Sequence, residues 1–387
     1  MDRRRGWTIY EIDDLMFDGT LLDADEKRRE YLERKYGNLR NASIPKFNRG
    51  RKPFEGEIPQ RAIKTMLNAA DLVTVTTDYL REVYHDLYGV PLENIVAVPN
   101  LLPHFIFGDK YNPDMKCEQF KRNRKKPRIG VVSSLSHYNV DGVREDENGM
   151  VCRKHKLPTG QEVWKNEAGE VVSDEKTHEI IDDIDGILEC IKDTVNDYQW
   201  VFFGFCPPKL NDLVKAGKIQ VVPGVPIQNY ASRFYNLNLQ AVVAPINPIE
   251  FNKCKSFIKY MECSALGIPC FATDCIPYSR VMPRQQLFSD SSQLKQMLNK
   301  LKFMSVGAYR SMIEQQWKWL HTPCREGDFD IKNFWLEDNI GIWVDMFRLR
   351  PKTALFSIRN IMQQYEQRIR TEAEQIIFKN ENIAITK

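Results

Sequence analysis

The sequence predicts an α/β protein built from two nucleotide-binding-type domains, the amino-terminal one abbreviated, followed by a helical carboxyl-terminal region. Three observations carry this reading. From Arg128 onward, short apolar runs rich in β-formers alternate with amphipathic stretches, the pattern of a parallel sheet covered by helices. The first 126 residues hold only about half of such a unit, and beyond residue 290 the pattern is helical. At 387 residues the chain is long enough for two domains, and the expected division is 1–126, 127–290 and 291–387.

In the amino-terminal part, TIYEIDD, LVTVTT and NIVAVPN read as strands. Helices are expected around 58–69 and 78–88, and a long polar stretch contains IPKFNRGRKPF. This predicts a sheet with fewer strands than the second one, leaving an edge or face open unless a partner chain completes it. In the second part, RIGVVSS, QWVFFGF, KIQVVPG, LQAVVAP and IPCFAT read as strands, with helices near 179–195, 209–216, 227–236 and 253–266. Ligands of doubly wound sheets bind beyond the carboxyl ends of the strands, here after Ser134, Phe205, Gly224, Pro245 and Thr273.

Residues 143–178 break the alternation, with turn signals at Asn148-Gly149, Thr159-Gly160 and Ala168-Gly169. They predict a β-hairpin or three-stranded meander projecting beside the ligand crevice. Arg153, Lys154, His155, Lys156 and Lys165 surround Trp164, which gives either a basic aromatic surface for an acceptor or a solvated ornament. Further helices are expected near 291–302, 307–320 and 331–348, and a charged one at 357–378.

Hydrophobic residues at 42% and charged residues at 28% are ordinary for a globular protein, and no apolar run approaches the roughly 20 residues that span a bilayer. The opening MDRRRGWTIYEIDD lacks a signal peptide's apolar core, so the expected compartment is the cytoplasm. Nine cysteines without CxxC spacing read as reduced, mostly buried thiols and not as a zinc site. The net charge of +3 does not demand a polyanionic partner. Basic runs at Arg3–Arg5, Arg49–Lys52 and Lys121–Lys126 are solvated surface or a nucleic-acid contact.

The most informative stretch is PIEFNKCKSFIKYMECSALGIPCFATD, from Pro248 to Asp274. Asn252, Lys255, Lys259 and Glu262 recur at intervals of three and four, so one helix would carry them as a stripe. A helix amino terminus with a nearby lysine suits phosphate oxygens, and a carboxylate farther along suits ribose hydroxyls. The alternative is an i,i+3 surface ion pair between Lys259 and Glu262. Asp13 and Asp14 end a predicted strand, where they reach a cleft or cap a helix. His137, in the loop after the RIGVVSS strand, assists at a diphosphate or is merely exposed.

The run FNxxKSxxKxxExxALGIPxxAT resembles the donor-binding motif of retaining GT-B glycosyltransferases of the "glycosyl transferases group 1" type, in the branch found in bacterial surface-polysaccharide clusters and phages. The resemblance extends over most of 7–120, 127–142 and 179–290. It implies a GT-B-like fold of two Rossmann-type domains, with YEIDDLMFD and AADLVTVTTDYLREVYHDLYGVPLENIVAVPN matching the acceptor-side domain. It implies that Glu262 binds the nucleotide ribose. The more widespread Glu-x7-Glu form puts Cys254 where a sugar-binding glutamate would stand, leaving Lys255 and Ser256 to meet the phosphates or sugar. RIGVVSSLSHYN is similar to the family's phosphate loop, through Ser133 and Ser134, with His137 near the crevice. VFFGFCPPKL and VPGVPIQNYASRFYNLNLQAVVAPI resemble the segments around the base, including Tyr230.

The implied reaction moves a hexose or pentose from a UDP- or GDP-sugar to an acceptor hydroxyl, with retention and without a metal. Lys255, Asp13, Asp14 and His137 form the implied catalytic set, and Ser133, Ser134, Tyr230, Asn252, Ser256, Lys259 and Glu262 the donor-binding set. The acceptor is a glycan or, in a phage-encoded enzyme acting in the host cytoplasm, a modified DNA base. The competing class is a non-catalytic nucleotide-sugar-binding module or a subunit completed by a partner chain.

Overall fold

A computed structural model describes residues 9–11, 26–36, 65–67 and 69–348. The predicted sites Asp13 and Asp14, the stretch IPKFNRGRKPF, most of the expected 58–69 helix, the 357–378 helix and the first two basic runs lie outside the described residues.

In the amino-terminal part, β1 (Ile9–Glu11), β2 (Leu72–Val75) and β3 (Ile95–Ala97) form a parallel sheet in the order β1-β2-β3. Helix Asp78–Tyr88 follows β2, and its start is explained by Thr77, whose hydroxyl accepts from Leu80 N. At its other end Gly89 takes a left-handed φ of 70°, the conformation in which helices commonly stop.

The second sheet joins β4 (Arg128–Ser133), β10 (Gln199–Gly204), β11 (Ile219–Pro223), β12 (Ala241–Ala244), β13 (Cys270–Thr273) and β14 (Leu287–Phe288). All its pairs are parallel, in the order β11-β10-β4-β12-β13-β14. Counted along the chain this is 3-2-1-4-5-6, the strand order of a dinucleotide-binding Rossmann sheet. The five expected strands are present, and the two-residue β14 is an addition.

Burial explains the apolar runs. Val201, Phe203, Val242 and Ala244 pack into one core, while Trp200, Phe202, Ala241 and Val243 pack into another. A strand covered on both faces has no polar side to alternate with. Helices Ile227–Asn236, Ser291–Phe303 and Val306–Leu320 lie close to their expected bounds, and the last two begin on side-chain caps from Asp290 and Ser305. Part of the Lys121–Lys126 run is structural, because Arg124 donates to the Phe303 and Met304 carbonyls at the end of one of these helices.

Three expectations need correction. The inserted segment is a five-stranded antiparallel sheet and not a hairpin or three-stranded meander. Its strands are β5 (Arg144–Asp146), β6 (Val151–Lys156), β7 (Glu162–Lys165), β8 (Val171–Val172) and β9 (Thr177–Glu179), in the order β8-β7-β6-β5-β9. Of the expected 179–195 helix, Glu179 pairs in β9 and Asp185–Ile187 form a 3-10 turn, so regular α-helix begins only at Leu188.

The third concerns 331–348. Ile331 belongs to a hairpin of β15 (Cys324–Glu326) and β16 (Phe329–Ile331), and the helices are Leu336–Asn339 and Gly341–Arg348. The hairpin turn docks on the end of β3. Asp328 N donates to Ala97 O at 3.0 Å, Asp328 Oδ2 accepts from Ala97 N at 2.8 Å, and Arg81 pairs with the same carboxylate. Gly327 makes this approach possible, since an added Cβ would sit 2.3 Å from Ala97 O.

Candidate functional site

A cleft of about 620 Å³ opens where β4, β10, β11 and β12 end. β4 and β12 are neighbours at the point where the strand order reverses, the place where sheets of this order bind their ligands. Ser133, Ser134 and His137 line it after β4, with Gly204 at the end of β10, Gly224 after β11, and Pro245 and Ile246 after β12. Thr76 and Asn100, which follow β2 and β3, line it from the other sheet, so both parallel sheets direct their carboxyl ends at one space. Gly204, at a φ of 103°, brings the ends of β10 and β4 together: an added Cβ would lie 2.4 Å from Ser133 O.

The stripe from Asn252 to Glu262 does not lie on the single helix expected. The chain there divides into Glu250–Lys253 and Ile258–Ala265. The Cys254 carbonyl would serve Ile258 N in an unbroken helix, and Thr77 Oγ1 of the amino-terminal part donates to it at 3.1 Å. The break turns Lys255 and Ser256 into the cleft, while Asn252 and Cys254 are buried and outside its lining. The expected stripe is therefore corrected, with Asn252 before the break, Lys255 within it, and Lys259 and Glu262 on the second helix. Lys255 Nζ lies 4.7 Å from the Phe251 ring centre, and Ser256 Oγ accepts from Asn100 Nδ2 at 2.7 Å.

Lys259 lines the cleft, but Glu262 does not. Glu262 Oε2 accepts from Lys259 Nζ at 2.5 Å and from Tyr230 OH at 3.0 Å. The i,i+3 pair exists, but its side chains are only 18% and 11% exposed, so it is no surface pair. Burial works against the Lys259 ammonium, yet the adjacent Glu262 carboxylate and Tyr230 hydroxyl outweigh it and hold its pKa well above the ordinary lysine value. Burial likewise pushes the Tyr230 hydroxyl up. Glu262, expected at the ribose, holds two lining side chains from behind.

His137 Nδ1 donates to Asp183 Oδ2 at 2.6 Å. Asp183 is only 7% exposed, and its Oδ1 accepts from Asn247 N and Asn252 Nδ2, both at 2.8 Å. Asn252 thus serves the cleft through Asp183. Next to it, burial pushes the Asp182 carboxyl up to about 6, against donors that include Asn139 N. Ser133 Oγ is bonded to Tyr138 OH, and Ser134 Oγ to Ser136 Oγ at 2.7 Å.

In the insert, Trp164 is 7% exposed and not a surface aromatic. Its Nε1 donates to Asp174 Oδ1 at 2.8 Å and the Arg144 guanidinium lies 5.0 Å from its ring centre, so it packs the small sheet. Lys154, His155 and Lys156 remain exposed. All nine cysteines are free, and six are buried.

Sequence reasoning missed Thr76, Asn100, Asp183, Phe203 and Tyr278 in the lining. The strand-end rule applied to LVTVTT and NIVAVPN reaches Thr76 and Asn100. Asp183 carries no local signal, because its partner His137 is 46 residues away.

No protein-family model matches this chain, and no curated protein does. Among solved structures, a glycosyltransferase from Rickettsia africae ESF-5 is similar at 13% identity and a TM-score of 0.39, over 74% of this chain and 67% of that one. Anabaena Alr3699/HepE in complex with UDP and glucose is similar at 10% identity and a TM-score of 0.37, over 66% of this chain and 65% of that one. The same Anabaena protein in complex with UDP-glucose gives a TM-score of 0.39 over 64% of its length. This chain therefore spans just under two thirds of the Anabaena protein.

Proposed function

We propose that the protein is a glycosyltransferase of the retaining GT-B group 1 type, using a UDP- or GDP-sugar as donor in the cytoplasm. The observation that carries this reading is the pairing of two phosphate-binding elements across one switch-point cleft. On one side are Ser133 and Ser134 after β4; on the other are Lys255, Ser256 and the first turn of helix Ile258–Ala265. N–H groups in a helix's first turn lack intrahelical acceptors and favour an anion, and the lysines add full positive charge.

In the proposed reaction the bond between the anomeric carbon and the diphosphate oxygen breaks. The electron pair leaves with the nucleoside diphosphate, the acceptor hydroxyl oxygen bonds to the same face of the carbon, and the hydroxyl proton passes to the departing diphosphate. The main demand is stabilising charge on the leaving group in a preorganised site. Lys255 and His137 meet it directly, and Lys259 does so while held by Glu262 and Tyr230. These groups allow metal-independent transfer.

The acceptor is a glycan or DNA-base hydroxyl entering between the two sheets. Calorimetric titration with UDP and GDP, followed by release of sugar or its transfer from UDP- and GDP-hexoses, tests the reading. Nucleotide binding with turnover is expected. Binding without turnover would make the protein a non-catalytic module, and no binding of either nucleotide would remove both readings.

A further inference from the structure

We propose that Asp183 is a positioning residue that acts through His137, fixing the imidazole so that Nε2 donates a hydrogen bond to the leaving diphosphate. This rests on the donor-site reading above. His137 lines the cleft, its Nδ1 is engaged by Asp183, and its Nε2 has no hydrogen-bond partner among the described residues. The Asp183 carboxylate is buried and surrounded by donors: Asn247 N and Asn252 Nδ2 on Oδ1, the imidazole on Oδ2. A carboxylate in that setting accepts at both oxygens, so the proton between the two residues belongs to His137 Nδ1. With a diphosphate on the other side, the ring meets an anionic acceptor at each nitrogen, the arrangement that favours the doubly protonated imidazolium.

The fold gives the pair its rigidity. His137 and Asp183 stand at the two ends of the inserted sheet, and the neck between them is closed by further bonds. Asp183 N donates to His137 O at 3.3 Å, Asn139 N donates to Asp182 Oδ2 at 2.9 Å, and Asn139 Nδ2 donates to Val143 O at 2.7 Å. The insert thus leaves the Rossmann sheet through the pair itself.

Asp183→Asn reverses the proton logic while keeping size. The Asn247 and Asn252 donors require the new amide oxygen, which turns the amide N–H₂ toward His137 and forces its Nδ1 to accept. The expected result is UDP or GDP affinity and donor turnover lower by roughly ten- to a hundredfold, the size of a hydrogen bond to a charged group. In a His137→Ala background the same change should cost less than about twofold, because a residue acting through another has nothing left to act on. Equal losses in both backgrounds would mean that Asp183 is merely structural and would overturn the proposal.

If Asp183→Asn does not fold, ¹⁵N spectra of the wild-type imidazole decide. They should show a protonated Nδ1 before nucleotide and a protonated Nε2 as well once UDP or GDP is bound; an Nε2 resonance unmoved by saturating nucleotide overturns it. The two readings fail separately. Wild-type protein that binds nucleotide but turns over no nucleotide sugar defeats the transferase reading, while the affinity cycle and spectra still judge the pair.

Discussion

The six-stranded sheet meets the cleft through Ser133, Ser134, His137, Tyr230, Lys255 and Lys259, whereas the described amino-terminal strands bring Thr76 and Asn100. Among the described residues, every cation in the lining belongs to the first group, and the second supplies a hydroxyl and an amide. On the proposed reading, the first group holds the anion and the second shapes the cleft around it. Thr77 shows how shaping works, since its hydroxyl occupies the Cys254 carbonyl and keeps open the break that exposes Lys255.

The largest expected effect follows from that asymmetry. Lys255→Ala should lower donor turnover by roughly 10²–10³-fold, the loss seen when one preorganised stabilising group is removed from a transition state, with the melting temperature unchanged. Near-normal turnover would take the central charge away from the six-stranded half.

A second contrast lies between two lysines largely withdrawn from solvent, Lys259 at the cleft and Lys116 in helix Pro113–Asn123. Lys259 has Glu262 and Tyr230; among the described residues Lys116 has only the Tyr235 carbonyl at 3.4 Å and the face of that ring at 3.9 Å. Glu262→Ala leaves Lys259 without its carboxylate and should cost about 3 kcal/mol in urea unfolding, as broken buried pairs do. Unchanged stability would show the pair to be idle.

Burial lowers the Lys116 pKa from 10.5 to about 7. Between those values the unfolded chain holds the proton that the folded one has lost, so stability should rise with pH through that window and be penalised below it. Lys116→Met should remove this slope and raise the melting temperature near pH 6 by a few degrees, at roughly 2–4 °C per kcal/mol. A melting temperature equal to wild type at pH 6 would disprove the penalty.

The insert sharpens the division between holding donor and choosing acceptor. Replacing 146–173 with a short glycine linker leaves His137, Asn139, Asp182 and Asp183 in place. Donor hydrolysis should persist within about twofold, on the usual independence of separated sites, while acceptor transfer falls. Transfer at the wild-type rate would leave the insert no part in acceptor choice. The smallest effect belongs to the shaping half: Asn100→Ala removes one hydrogen bond to Ser256 and should weaken nucleotide binding by about fivefold, near 1 kcal/mol. A loss as large as that of Lys255→Ala would erase the contrast between the halves.

By itself the sequence determined where the strands of the six-stranded sheet run and which loops line the cleft. RIGVVSS, QWVFFGF and LQAVVAP are legible because strands buried on both faces become unbroken apolar runs, and their carboxyl ends mark the crevice without knowledge of distant contacts. Tertiary structure decided the rest. No local signal breaks the helix at Cys254, since the hydroxyl that takes its carbonyl comes from 177 residues away. His137 and Asp183 become a pair only because the insert returns to its own starting point, and Trp164 is buried because Asp174 and Arg144 close over it. The two-residue β14 is too short to show a period, and pairing with β13 alone makes it a strand. Periodicity records burial along the chain, whereas hydrogen bonds across it depend on which segments the fold brings together.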